Sequence, residues 1–115
     1  MSKKIDVVII DGGPGGTPAA MHLVSKGKRV LLVEKSGKLG GACLFVGCIP
    51  SKIIKHAADE YDAFRRGPAG DRPFSEDAGV FWNEIRARMD RILPMRSAGA
   101  LQRLKPILTA YEVQR

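Results

Sequence analysis

The sequence predicts an α/β fold built on a parallel sheet, and three observations carry it. Residues 5–10, IDVVII, form an apolar, β-branched run of strand length, and residues 29–34, RVLLVE, form a second that ends in an acid. Between them a glycine-rich stretch, DGGPGG, leads into a segment whose apolar residues recur at helical spacing. Two strands joined through a crossover helix make a βαβ unit, the building block of parallel sheets.

Each element follows from its residues. From Gly15 onward Ala19, Ala20, Leu23 and Val24 fall on one helical face, and Gly27 closes that helix. The turn before it suits a pyrophosphate. Glycines let backbone donors approach the anion, the helix amino end stabilises it, and an acid about twenty residues on can bind a ribose hydroxyl. Gly13, Gly16 and Glu34 occupy those places. Asp11 stands where the first glycine of the fingerprint belongs, giving D-x-G-x-x-G. Asp tolerates unusual backbone angles, so the turn is expected to survive. Its charge opposes the ligand: about 5 Å from a phosphate, at an effective dielectric near 20, a carboxylate costs about 3 kcal/mol, or about a hundredfold in affinity.

The chain's two cysteines, Cys43 and Cys48, sit in the stretch GGACLFVGCIPSK, residues 40–52, and read as a redox pair. Pro50 marks a place where a helix can begin without losing a needed donor, and such a helix aims its positive end at Cys48, favouring the thiolate. A structural disulfide closing so short a loop adds little stability, and a zinc site needs two further ligands, for which only His22 and His56 are at hand. Both histidines read as surface or partly buried residues, and no metal is expected.

After Pro50, Ile53, Ile54, Ala57, Ala58, Tyr61 and Phe64 mark the apolar face of an amphipathic helix. Residues 66–79, with two prolines and three glycines, read as a connector and are the segment expected to be mobile. Asp77 or Ser75 can cap a long helix over 80–105, with a seam of Phe81, Ile85, Met89 and Ile92, then Ala98, Leu101 and Leu104 beyond a kink at Pro94. Residues 107–113 look like a third strand, with strand order 3-2-1 expected. The chain thus divides into a βαβ fingerprint (1–34), a cysteine segment with its helix (35–66), a connector (67–79), the long helix and the third strand.

At 115 residues the chain is one domain at most and reads as a piece of a larger enzyme. It holds no run of eighteen apolar residues and no signal peptide, so a cytoplasmic location is the default expectation and no membrane partner is expected. The net charge is +7 and nearly all the arginines lie after residue 52, but without interleaved aromatics or a nucleic-acid motif they read as a solvated helix face.

With these residues quoted, the segment GGACLFVGCIPSK resembles the active-site segment of the flavoprotein disulfide reductases, the family of dihydrolipoamide dehydrogenase, glutathione reductase and mercuric reductase. The Ser51-Lys52 ending is more similar to dihydrolipoamide dehydrogenase and mercuric reductase than to glutathione reductase. The resemblance implies a Rossmann-like FAD-binding half domain with a three-stranded parallel sheet, covering roughly the first quarter of a family member. It implies FAD held by Gly13, Pro14, Gly15 and Gly16, by Glu34, and by Lys35 to Cys43 with Gly40, Gly41 and Ala42, while Lys52 sits by the flavin ring. Cys43 would be the interchange thiol and Cys48 the thiol in charge-transfer contact with the flavin.

It further implies an NAD(P)H-linked dithiol–disulfide oxidoreductase acting on a small-molecule dithiol or disulfide. The nicotinamide-binding and dimerisation domains of the homodimeric family members lie outside these residues, as does the partner subunit's histidine–glutamate pair. Turnover by these residues alone is therefore not expected. Besides Asp11, Ala42 stands where threonine is common and Phe45 where asparagine is common. The competing readings are a mercuric reductase and a truncated, non-catalytic interaction module.

Overall fold

A computed structural model describes residues 4–66 and 78–113. Its elements run β1 (Val7–Ile10), α1 (Gly16–Ser25), β2 (Val30–Glu34), α2 (Gly41–Phe45), α3 (Cys48–Arg66), α4 (Ala78–Leu104) and β3 (Ala110–Val113). The three strands form one parallel sheet with β2 in the middle, Val7 opposite Val30 and Leu31 opposite Ala110, so the 3-2-1 order is the one the crossover pattern predicts. Most of the expected connector falls at residues 67–77, outside the described ones.

Burial decides which face of the sheet is core. Along β2, Val30, Leu32 and Glu34 are buried and point one way, beneath α1 and the end of α4. Leu32 and Val30 join Ala20, Leu39, Leu104 and Leu108 in one cluster, each large side chain contributing about 2 kcal/mol by leaving water. The opposite face is open: Val8 is 53% exposed and Ile10 79%. At the sheet's start Arg29 donates from its backbone N and Nε to Asp6 Oδ2 at 2.8 and 2.9 Å, tying β1 to β2. That bonding holds the Asp6 carboxyl well below the usual carboxylate range.

Helix α1 ends as its glycine requires. Gly27 takes φ +73° and its N–H donates to Val24 O, while Lys28 N donates to Leu23 O, satisfying carbonyls at the helix end.

Three boundaries differ from the sequence reading. Helix α3 starts at Cys48, two residues before Pro50, because the Ser51 amide donates to Gly47 O and Pro50 lands among the first-turn positions that need no amide. The third strand begins at Ala110 rather than 107, since Ile107 and Leu108 donate back to Leu104 O and only Thr109 N, bonded to Val30 O, reaches the sheet. In α4 the buried line beyond Pro94 runs through Ser97, Ala100, Leu101 and Leu104, with Ala98 exposed, and Leu93 is buried where Ile92 is only partly so. An unbroken 3.6-residue repeat places it there. Similarly in α3, Ala57 is buried and Ile53 and Tyr61 partly so, whereas Ile54 and Ala58 face water. The Tyr61 and Phe81 rings meet at 5.3 Å between α3 and α4. With 27 residues in α4, about 40 Å of helix, this pair extends well past the sheet in a molecule 69 Å long.

Candidate functional site

The turn between β1 and α1 is set by two close approaches. At Gly16 an added Cβ would lie 1.8 Å from the Asp11 carbonyl oxygen, so only glycine lets α1 begin this near the end of β1. At Gly41, held at φ +56°, an added Cβ would lie 3.0 Å from Gly13 Cα. Here the start of α2 rests on the turn itself, and the Gly40 amide, donating to Gly12 O at 2.9 Å, fixes it. The glycine pair before Cys43 thus carries the cysteine helix up to the glycine turn.

Asp11 departs from the fingerprint in a way the backbone exposes. It is the non-glycine residue with positive φ among the described residues, at +91°, a conformation a glycine adopts without strain. Its Oδ1 accepts the Gly13 amide at 3.2 Å, which compensates locally and places a carboxylate against a donor that a phosphate would use.

Glu34 sits at the other side of the turn. Its Oε2 accepts the Gly12 amide at 2.7 Å, and its Oε1 accepts the Ser36 amide and hydroxyl at 2.8 and 2.9 Å. Burial alone pushes this carboxyl up, but the donors from Ser36 and Gly12 outweigh it and leave it below the ordinary glutamate value. Both oxygens are therefore engaged in organising the turn. A ribose would have to share or exchange these bonds.

Cys43 lies on α2 and Cys48 opens α3, both as free thiols. The neighbouring Cys48 side chain, with some desolvation, pushes the Cys43 thiol up. The short α2 and its return through Gly47, whose amide bonds Ala42 O, bring the two together. Phe45 lies under the Lys38 ammonium, 5.6 Å from its ring centroid.

A groove of about 570 Å³ joins these parts. Gly13, Pro14, Gly40 and Cys43 form one wall, and Arg96 and Arg103 of α4 line the other. Such a volume suits a nucleotide portion of a ligand. The residues fit FAD in their glycine cradle and open groove, while Asp11 opposes its phosphates. Gly15, which caps α1, is exposed, as are Ala42 on α2 and Lys35 just after β2, and none of the three lines the groove. Lys52 is not brought into the groove: it lines a neighbouring 310 Å³ cavity between α3 and α4, with His56 and Arg88, which meets the groove at Ile49 and Arg96. His56 pairs with Glu60 one turn on, and His22 is exposed. Among the described residues no three His, Cys, Asp or Glu side chains gather to hold a metal.

The sequence reading missed Ser36, Gly12 and the two arginines. Arg96 and Arg103 lie seven residues apart, a spacing that places them on one helix face. Which way that face points is settled only by packing.

Comparison with known proteins agrees with this geometry. The family model described as pyridine nucleotide-disulphide oxidoreductase matches residues 5–105. A soluble pyridine nucleotide transhydrogenase of Marinomonas sp. (strain MWYL1) is 35% identical over 98 residues, which are 85% of this chain and 21% of the relative. The mitochondrial dihydrolipoyl dehydrogenase of Dictyostelium discoideum is 54% identical over 61 residues, 53% of this chain and 12% of the relative. The chain thus spans about a fifth or less of these two relatives. Among solved structures, the Cu(II) complex of a cysteine-to-serine mutant of the HOCl-induced flavoprotein disulfide reductase RclA from Escherichia coli superposes on 97% of this chain and 22% of its own with a TM-score of 0.70 at 23% identity, a likeness of fold. Sequence match, sheet order and the glycine turn beside a cysteine pair together mean that the chain belongs to the pyridine nucleotide-disulphide oxidoreductase family.

Proposed function

We propose that this chain provides the FAD-binding turn and the redox dithiol of an FAD-dependent, NAD(P)H-linked dithiol–disulfide oxidoreductase of the dihydrolipoyl dehydrogenase kind. The observation that carries the proposal is that Cys43 shares a groove wall with Gly13 and Pro14, with Cys48 the neighbour that pushes its thiol up. A dithiol and a nucleotide cradle are thereby adjacent. The whole protein's substrate would be a small dithiol or disulfide, and a homodimer in the cytoplasm is the form the family suggests. Among the described residues no helix is long and apolar enough to cross a membrane.

The residues have defined tasks. The Gly13–Gly16 turn and the amino end of α1 would hold the pyrophosphate, Gly40 and Gly41 would let the ligand pass close to backbone, and Glu34 would orient the ribose. Lys35 and Ala42 would border the bound ligand along the path towards the thiols. FAD, when bound, supplies the two-electron acceptor and donor that the dithiol needs. Deprotonated Cys43 would attack one sulfur of a substrate disulfide, forming a mixed disulfide and releasing the other sulfur as a thiol after it takes a proton. Cys48 would then attack Cys43 Sγ, expelling the second substrate thiol and leaving an internal disulfide, so that one substrate disulfide is reduced as one protein dithiol is oxidised. In the reverse sense a substrate dithiol would reduce that internal disulfide.

The test is a thiol titration of the purified chain under mild oxidation, with mass spectrometry of the product, alongside an FAD titration. Loss of both thiols with an intramolecular Cys43–Cys48 link and a saturable flavin signal is expected. Thiols that oxidise only between chains, or a chain that takes up no FAD even after Asp11→Gly, would overturn the proposal.

A further inference from the structure

We infer that Arg96 and Arg103 of α4 are phosphate-binding residues for the dinucleotide, supplying the charge that the glycine turn has lost to Asp11. The inference rests on the FAD reading above and adds residues outside the fingerprint and the cysteine segment.

Three observations converge on it. The groove that carries Gly13 and Pro14 on one wall has both guanidinium-bearing side chains on the other. They stand two turns apart on one face of α4, with Gly99 between them, where an added Cβ would lie 3.6 Å from Arg103 Nη1. The Arg103 guanidinium thus lies back along the helix over Gly99. Neither arginine forms an ion pair among the described residues, whereas Arg29 and Arg66 each have a carboxylate partner.

The turn itself explains the need. The Asp11 carboxylate occupies the Gly13 amide and adds a negative charge where phosphates would lie. Ala42 offers no hydroxyl to replace that donor. A diphosphate brings about two negative charges into the groove, and two guanidinium groups can meet it with paired N–H donors. Arg96 and Arg103 therefore offset both the ligand's charge and that of Asp11.

FAD titrated into the full 115-residue chain at low salt, followed by flavin fluorescence, tests this. Replacing both arginines (Arg96→Gln with Arg103→Gln) is expected to weaken binding about a hundredfold, about tenfold for each lost charged contact. The lysine pair should restore much of it, and Arg88→Gln, at a residue that lines the α3–α4 cavity but not the groove, should change it less than twofold, a size typical of a lone surface charge. If Asp11→Gly tightens FAD binding while the double glutamine variant leaves it unmoved, the inference is overturned and the FAD reading stands. An equal loss in Arg88→Gln also overturns it, since overall charge would then suffice. If neither the wild-type chain nor Asp11→Gly binds FAD, the reading and the inference fall together. Should the double variant lose its circular dichroism, inorganic pyrophosphate decides: competition with FAD on the wild-type chain, weakening as salt rises, supports the assignment, and no competition overturns it.

Discussion

The Gly12 amide donates to Glu34 Oε2 at 2.7 Å, fastening the turn after β1 to the end of β2 through a buried carboxylate 22 residues away. The same side chain accepts from Ser36, so one residue organises both loops at the strand ends. Because Glu34 is held below its ordinary value when folded, the unfolded chain takes up a proton there first as pH falls. Its stabilisation is fully present above the ordinary glutamate value and is lost as pH drops through the folded one. Urea midpoints measured against pH should fall in that acidic window for the wild type and less steeply for Glu34→Gln. Glu34→Ala should cost about 1–3 kcal/mol at neutral pH by leaving buried donors unpaired.

Gly16→Ala tests the close packing of α1 on β1. A Cβ 1.8 Å from the Asp11 carbonyl cannot be accommodated without moving backbone, so a loss of about 3 kcal/mol or more is expected. Gly79→Ala is the control, with nothing within 4 Å of the added atom, and should gain about 0.5–1 kcal/mol as a helical glycine replaced. Thermal melts of the two variants should shift in opposite directions.

At Asp11 two effects point the same way. Replacement by glycine removes the strain of a positive φ, gaining up to about 1 kcal/mol after the lost bond to Gly13 is counted. It also removes a carboxylate from the phosphate path, and FAD binding should tighten about a hundredfold in a fluorescence titration. Asp11→Asn should relieve the charge but not the backbone, separating the two.

Cys48→Ala should make Cys43 more reactive. The Cys48 side chain is the leading reason the Cys43 thiol is pushed up, so its removal raises the thiolate fraction at a given pH. Iodoacetamide should then label Cys43 on the order of threefold faster near neutral pH, the gain tempered because a less basic thiolate is a weaker nucleophile. An unchanged rate would show that the sulfurs do not communicate.

The sheet and its crossover were legible in the sequence because β-branched runs, a helical face and bracketing glycines all agree over residues 5–34. The start of α3 was misplaced because proline was taken as the first helical residue, although the third position tolerates it equally. The shortened β3 followed from carbonyl competition: Leu104 O captures Ile107 and Leu108 before they can pair with β2. In the site, Cys43, Cys48 and the glycines announced themselves by spacing, whereas Lys52 faces a different cavity and Arg96 and Arg103 enter the groove only through the packing of α4. Such long-range placement leaves no local mark in the chain.

The open face of the sheet has a thermodynamic consequence. Side chains at Val8 and Ile10 are hydrated before melting as well as after it, so they contribute little to the heat capacity change. Calorimetry of this chain should accordingly give less than the usual increment of about 12–15 cal/mol/K per residue, and a denaturant slope correspondingly shallow.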